Sequence, residues 1–339
     1  MSGDATREPR LASGPEFDLI RVMYSAARAP GDSRVRVGPG DDAAVLALRA
    51  GELLVVSCDM SVEDVHFRRA WLTWEEIGWR SVAAALSDLA AMGAVPAGAL
   101  LSVALAPELG SDVAESLSAG AGECLRTFDC PLVGGDLARS PGPCVIDVSV
   151  LGTSPDPISR AGAEPGDELW VTGRLGGAAV AAAAWDRGFE PDPRARQAFV
   201  RPVPRLAEIA WLRTRMNIRA AIDLSDGLAG DARHMAAASE VRLRIEADAV
   251  PLHDTLEEFK DREVALRIAM TGGEDYELLI AAARGEGSGL ARAFESRFGV
   301  CLTRIGIVEA GNGVWLCEAD GSERPSLDSG FDHFADASP

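Results

Sequence analysis

Carboxylates stand at the ends of apolar runs throughout this chain. Gly40-Asp41-Asp42 precedes Ala43-Ala44-Val45-Leu46, and the strand-like run Leu53 to Ser57 exits into Cys58-Asp59. Leu86-Ser87-Asp88-Leu89, Gly134-Gly135-Asp136 and Ala221-Ile222-Asp223-Leu224-Ser225-Asp226-Gly227 follow. An unpaired carboxylate is costly to bury, so a core does not collect them without reason. Acids that converge in a fold repel one another unless cations lie between them. Oxygen-only groups suit Mg²⁺, a hard cation that usually carries phosphates with it. The pattern points to Mg²⁺-dependent phosphate chemistry.

The strings differ in weight. Asp223 and Ser225 lie on one face of a strand, and Asp226-Gly227 turns into the next helix. A cap-and-turn role accounts for Asp226 but not for Asp223. Asp88 sits in an otherwise apolar helical run, where an acid needs a partner. Gly134-Gly135-Asp136 offers unhindered main-chain N–H groups beside a carboxylate, which suits a phosphate carrying Mg²⁺. Thr271-Gly272-Gly273-Glu274-Asp275-Tyr276 repeats the Gly-Gly-acid theme. Gly173-Arg174-Leu175-Gly176-Gly177 lacks dinucleotide spacing and reads as the start of a helix. Arg160 is a candidate phosphate clamp or an ordinary surface arginine. His66 is a half-buried histidine or an anion contact. Cys58 reads as packing, because no histidine adjoins it to activate the thiol.

Net charge is −19, with 52 acidic and 33 basic residues among 339. That balance argues against nucleic acid or an anionic membrane as a partner. Lys260 is the one lysine, so a P-loop is excluded. A bound nucleotide would draw its positive charge from arginines and metal ions. The six cysteines contain no C-x-x-C pair and read as buried, reduced thiols, consistent with the cytoplasm. The N-terminus has no signal-peptide pattern, and no apolar run is long enough to span a membrane.

These residues need a scaffold of mixed elements. Residues 1–14 read as a disordered tail. Helices are expected at Glu16–Ala27, Trp74–Met92 and Asp112–Phe128, with strands at Leu53–Ser57, Leu100–Ala106 and Val145–Leu151. Thr153-Ser154-Pro155-Asp156-Pro157 is the best boundary, giving an N-terminal domain over 15–153 and a C-terminal domain over 154–339. Beyond it the pattern predicts strands at Glu168–Thr172, Ala220–Leu224, Arg242–Glu246 and Tyr276–Ala281, then around Ile305 and Trp315. Helices are expected at Gly177–Arg187, Val203–Arg215, Leu228–Ala238, Thr255–Ala269 and Gly289–Phe298. Strands mixed with helices in both halves indicate α+β or α/β layers.

Taken in order, the strings resemble the thiamine-monophosphate kinase family. They are Gly40-Asp41-Asp42-Ala43, Ser57-Cys58-Asp59 through His66-Phe67, Leu86 to Ala94, and Gly134-Gly135-Asp136. They continue with Arg160 to Asp167, Ile222 to Leu228, Gly272 to Leu278, and Gly330-Phe331-Asp332-His333-Phe334. The likeness covers about residues 16–335. It implies a two-domain α+β fold of the aminoimidazole-ribotide synthetase type and a homodimer formed through N-terminal strands. It also implies phosphoryl transfer from ATP to thiamine monophosphate, with several Mg²⁺ ions and no covalent nucleophile.

By matching motif, the resemblance implies metal positions at Asp42, Ser57, Cys58, Asp59, Asp88, Asp136, Asp223 and Asp226. It implies ATP contacts at Gly135, Asp136, Arg160 and Ser225, and substrate contacts at His66, Glu274 and Phe331. Phe331 could stack on a cationic thiazolium, with a packing role as the alternative. Two residues depart from the family pattern: Cys58 where Thr is usual, and Asp64 where Gly is usual. The competing readings are a sister ATP-dependent enzyme of the same superfamily and a catalytically inactive nucleotide-binding protein. A selenide enzyme would need a reactive Cys and a Lys in a Gly-rich N-terminal segment, and neither is there.

Overall fold

The structure, a computed structural model, describes residues 15–27, 32–39, 43–106, 108–287 and 289–326. Asp42, Phe331 and the expected N-terminal tail lie outside the described residues. The chain divides into two compact units, Met1–Leu89 with Ala94–Pro157, and Ala90–Gly93 with Ile158–Pro339.

The first unit contains α1 (Pro15–Ala27), a short hairpin of β1 (Val35–Val37) and β2 (Val45–Leu46), and β3 (Leu53–Val62). α2 (Trp74–Ala91), β4 (Val95–Leu105), α3 (Ser111–Thr127), β5 (Leu132–Arg139) and β6 (Val145–Ser154) follow. Its sheet has the order β3-β6-β4-β5. β6 is antiparallel to β3 and β4, while β4 and β5 run parallel. Alternate residues of β6, Ile146, Val148 and Val150, are fully buried, as period-2 packing on one face requires. α2 lies on that face, where a side chain at Gly152 would press on Leu89. α2 and α3 meet backbone to backbone: a Cβ at Gly78 would overlap Leu117 O, and one at Gly120 would overlap Glu75 O. Glycine inside a helix is unfavourable by itself, and the close approach explains both.

The second unit contains β7 (Glu168–Thr172), α4 (Gly177–Asp186), α5 (Pro193–Val200), α6 (Leu206–Leu212), β8 (Ile218–Asp223) and α7 (Leu228–Ser239). It continues with β9 (Arg242–Glu246), α8 (Asp254–Glu257), α9 (Arg262–Thr271), β10 (Leu278–Ala282), α10 (Ala291–Phe298), β11 (Leu302–Glu309), β12 (Gly313–Cys317) and β13 (Glu323–Pro325). The seven-stranded sheet has the order β13-β12-β9-β11-β7-β10-β8. β9 and β12 pair in parallel and the other neighbours are antiparallel. Both faces are apolar, so its central strands read as continuous apolar runs. Leu169, Val171, Ile222, Leu279 and Ala281 pack with Leu228, Met235, Leu266 and Met270 of α7 and α9. Trp170, Ala221, Leu278 and Ile280 pack with Ile209 and Leu212 of α6 and Phe294 of α10.

Several boundaries differ from the sequence expectation. The single helix foreseen over Thr255–Ala269 is two, because the Asp261 carboxylate accepts the N–H groups of Glu263 (3.0 Å) and Val264 (3.3 Å) and starts α9 anew. The helix foreseen over Val203–Arg215 shrinks to α6, since Pro202 and Pro204 donate no N–H. α5 was not foreseen, although Asp192-Pro193 is a cap followed by proline at the first helical position. Gly134-Gly135-Asp136 lies inside β5, a strand that was not foreseen. A Cβ at Gly135 would overlap Leu101 O, so this glycine permits close approach of β4.

A buried ion pair ties β7, β10 and α6 together. Arg205 Nε donates to Glu277 Oε2 at 2.7 Å, and Thr172 Oγ1 donates to the same oxygen at 2.7 Å. Arg205 also reaches Glu208 at 3.4 Å. Burial opposes the guanidinium charge, but Glu277 and Glu208 keep its pKa above the ordinary value. Removing one partner of such a group leaves buried charge uncompensated. Arg205→Ala is expected to destabilise the protein by about 3–5 kcal/mol, seen as a lowered urea midpoint. A midpoint within about 0.5 kcal/mol of wild type would mean that the network is solvated.

Candidate functional site

β8 ends at Asp223, and the chain turns through Leu224-Ser225-Asp226-Gly227 into α7. Asp223 is 8% exposed and Asp231, in the first turn of α7, is 3% exposed. Asp226 N–H donates to Asp231 Oδ2 at 3.1 Å. The Asp231 carboxyl is pushed up to about 8, first by burial and then by the charges of Asp223 and Asp226. Main-chain hydrogen bonds from Asp226 and Ser225 oppose the rise. The acids of this turn thus lie close enough to repel, which is the condition a cation relieves. Asp231 escaped the sequence reading. Its signal was an acid in an apolar helical run, Leu228-Ala229-Gly230-Asp231-Ala232, the same signal that singled out Asp88.

The loop before β10 packs on this turn backbone to backbone. Glu274 N–H donates to Ser225 O at 2.8 Å, and Tyr276 N–H to Leu224 O at 2.9 Å. A Cβ at Gly273 would overlap Ser225 O, so glycine is required there. Glu274 (φ 73°) and Tyr276 (φ 51°) are both left-handed. For non-glycine residues this costs roughly 1–3 kcal/mol each and persists where the surroundings over-determine it. Both carboxylate oxygens of Asp275 accept Gly176 N–H, at 3.0 and 2.8 Å, at the N-terminus of α4. Burial raises the Asp275 pKa well above the ordinary value against these bonds. The glycine-rich string before α4 therefore starts a helix, as expected, and one of the chain's own acids holds its end.

In the first unit, Ser57 Oγ donates to Asp88 Oδ2, joining β3 to α2. The acid inside the apolar helix therefore has its partner. Strand alternation puts Asp59 on the same face as Ser57 and sends Cys58 to the opposite one. There Cys58 Sγ donates to Asp147 Oδ2 at 2.9 Å, and Ser149 Oγ lies 3.3 Å from Asp147 Oδ1. The Asp147 contact raises the Cys58 pKa. Cys58 is exposed, unlike the buried thiols expected, whereas burial pushes Cys130 and Cys144 up to about 12. The Cys58 thiol cannot share a ligand group with Ser57 and Asp59; only its main chain could.

Asp136 lies on β5 beside Gly135, and its Oδ1 accepts Leu137 N–H at 2.9 Å. His66 Nδ1 accepts Val62 N–H at 3.0 Å, leaving the other ring nitrogen to carry the proton of the neutral ring. In the second unit, Arg160 is exposed and its carbonyl accepts Ser239 Oγ at 3.2 Å. Among the described residues, no three Asp, Glu, His or Cys side chains of the kind that hold a metal ion are grouped together.

The family model described as AIR synthase related protein, N-terminal domain, matches residues 40–154, and the corresponding C-terminal domain model matches residues 164–316. A thiamine-monophosphate kinase of Rhodopirellula baltica is 34% identical over 322 residues, covering 92% of this chain and 96% of its own length. The chain belongs to the thiamine-monophosphate kinase family. The crystal structure of thiamine-monophosphate kinase from Stenotrophomonas maltophilia K279a superposes with a TM-score of 0.79 at 35% identity, covering 91% of this chain and 97% of that one. AaThiL, solved complexed with AMPPCP and TMP, superposes with a TM-score of 0.73 at 28% identity, covering 94% and 97%. The two-domain fold expected from the sequence is thereby established.

Membership sharpens one departure from the family pattern. Asp64, where the family usually has Gly, has φ 65°, a left-handed conformation that glycine adopts freely and aspartate tolerates better than most residues. Its N–H donates to Phe67 O at 2.8 Å, so the tight turn before His66 forms with aspartate in place.

Between pH about 4 and about 8, Asp231 holds its proton in the folded protein and loses it in the unfolded chain. The native state then binds more protons, and stability falls as pH rises through that window. With divalent cations chelated, urea midpoints are expected to fall by on the order of 1 kcal/mol per pH unit across part of this range. Asp231→Asn should flatten the slope. An unchanged slope in that variant would remove Asp231 as its source.

Proposed function

We propose that this chain transfers the γ-phosphoryl group of ATP to thiamine monophosphate, giving ADP and thiamine diphosphate. The observation that carries this is the likeness, over 94% of the chain, to a protein solved with AMPPCP and TMP. AMPPCP is an analogue of ATP, and TMP is read here as thiamine monophosphate. A terminal phosphate oxygen of the acceptor attacks the γ-phosphorus, and the bond to the β–γ bridging oxygen breaks, so that ADP leaves with the electron pair. An acceptor phosphate oxygen is already deprotonated near neutral pH, so no strong general base is needed. Positioning and electrostatics supply the rate enhancement.

The donor set fits Mg²⁺. Asp223, Ser225 and Asp226 sit on one turn, and Ser57, Asp59 and Asp88 share one face of β3 and α2. Asp136 and the unplaced Asp42 complete the proposed metal residues. All are hard oxygens, and the mutual repulsion at Asp231 marks where positive charge is wanted. Mg²⁺ keeps waters and takes phosphate oxygens as ligands, so the protein need not surround it with three side chains from one place. Bound there, it would neutralise phosphate charge on donor and acceptor. Gly135, Arg160 and Ser225 are proposed for ATP, and His66, Glu274 and Phe331 for the acceptor.

We further propose a homodimer in which a second copy covers the outer face of the four-stranded sheet. Leu54, Val56 and Met60 alternate on that face of edge strand β3 and are 47%, 60% and 52% exposed. An apolar row on an edge strand is a liability unless something covers it. A cytoplasmic location accords with an ATP-consuming reaction. Among the described residues, no helix is long and apolar enough to cross a membrane.

With Mg²⁺, ATP and thiamine monophosphate, the purified protein is expected to form thiamine diphosphate, measured by chromatography. Asp226→Asn should cut kcat by on the order of 10² or more with an unchanged circular dichroism spectrum. No product beside an active control enzyme would reject the assignment. Sedimentation velocity should show a dimer, and Val56→Arg should shift it towards monomer. A monomeric wild-type protein at micromolar concentration would reject the interface.

A further inference from the structure

We propose that Tyr276 is a positioning residue for acceptor recognition: its phenol fixes the direction of the Glu274 carboxylate that meets the thiamine ring system. The inference rests on the reading of Glu274 as an acceptor contact. Tyr276 O–H lies 3.0 Å from Glu274 Oε2 and donates to it. The tyrosine is 7% exposed and Glu274 is half-buried, so the bond is partly shielded from water.

The backbone is arranged for this meeting. Glu274 and Tyr276 are both left-handed, and the intervening Asp275 is turned away to hold the N-terminus of α4. Their N–H groups are spent on Ser225 and Leu224, which fixes the loop to the turn that carries Asp226. A bulky aromatic residue at positive φ is unusual, and apolar packing alone would be served as well by phenylalanine. The hydroxyl is what distinguishes tyrosine here, and its partner is the one carboxylate of the loop assigned to the acceptor.

The acceptor supplies the complementary chemistry. Its thiazolium is cationic and its pyrimidine carries an amine, so an aimed carboxylate can accept the amine or face the cation. A free glutamate side chain loses rotamer freedom when it binds, and a phenol tether removes part of that cost beforehand. The effect should therefore fall on acceptor affinity, leaving ATP and the transfer step largely unaffected.

A double-mutant cycle of Tyr276→Phe and Glu274→Gln tests this, with KM for each substrate, kcat and melting temperature measured for all four proteins. Tyr276→Phe is expected to raise the acceptor KM about three- to tenfold, with kcat and the KM for ATP within about twofold. The double variant should bind the acceptor no worse than Glu274→Gln alone, because the phenol acts through that carboxylate. Calorimetric binding of thiamine monophosphate in the presence of AMPPCP should give the same ranking if KM does not report affinity. An unchanged acceptor KM in Tyr276→Phe, or effects that multiply in the double variant, would overturn the inference. An unchanged acceptor KM in Glu274→Gln would overturn it by removing Glu274 from the acceptor site, whereas absence of turnover in wild type would strike at the activity itself.

Discussion

Two main-chain hydrogen bonds, Glu274 N–H to Ser225 O and Tyr276 N–H to Leu224 O, are the constraint on which the second unit's site depends. They are possible because β8 and β10 are paired neighbours in register, with Asp223 opposite Leu278. Pairing brings the exit of one strand beside the entrance of the other. Glycine at 273 lets the two backbones touch, and the left-handed residues at 274 and 276 follow from that contact. The core below, filled from both faces of the sheet, resists the relaxation that would relieve the strain.

Charge is handled differently at the centre and beneath it. Glu277, one residue beyond the strained loop, is matched by Arg205, so the base of β10 is neutral as a unit. Asp223, Asp226 and Asp231 sit at the adjacent strand end, and the dominant influences on Asp231 are burial and its two acidic neighbours. The closeness of these acids, felt at Asp231, favours positive charge nearby, which suits a site where two anionic reactants must approach each other.

Much of this was legible in the sequence, and the failures have physical reasons. Strands such as Glu168–Thr172 and Arg242–Glu246 were foreseen at their observed bounds, because short apolar or alternating runs between turn residues have few other solutions. The helix over 255–269 was misread because periodicity continues across Asp261 and only the cap geometry shows the break. Gly134-Gly135-Asp136 was read for its open N–H groups and not as part of a strand, since nothing local says that a second strand lies against Gly135. Ser57-Cys58-Asp59 was read as one group, although a strand sends its middle residue to the other face. Asp275 was passed over because its significance is tertiary: it accepts the N–H of Gly176, which only the fold brings near. Asp231 acts locally, on the N–H of Asp226 in the preceding turn, and its signal lay in the apolar run around it.

The carboxylate of Asp275 at the start of α4 has a consequence for how such chains are recognised. A glycine-rich string leading into a helix is a favoured landing place for anions in many nucleotide enzymes. Here that berth is taken from within, so the string advertises a docking point that no incoming ligand can use. Pattern searches keyed to such strings would annotate the wrong loop, and the informative letters are the acids that lie a hundred residues further along.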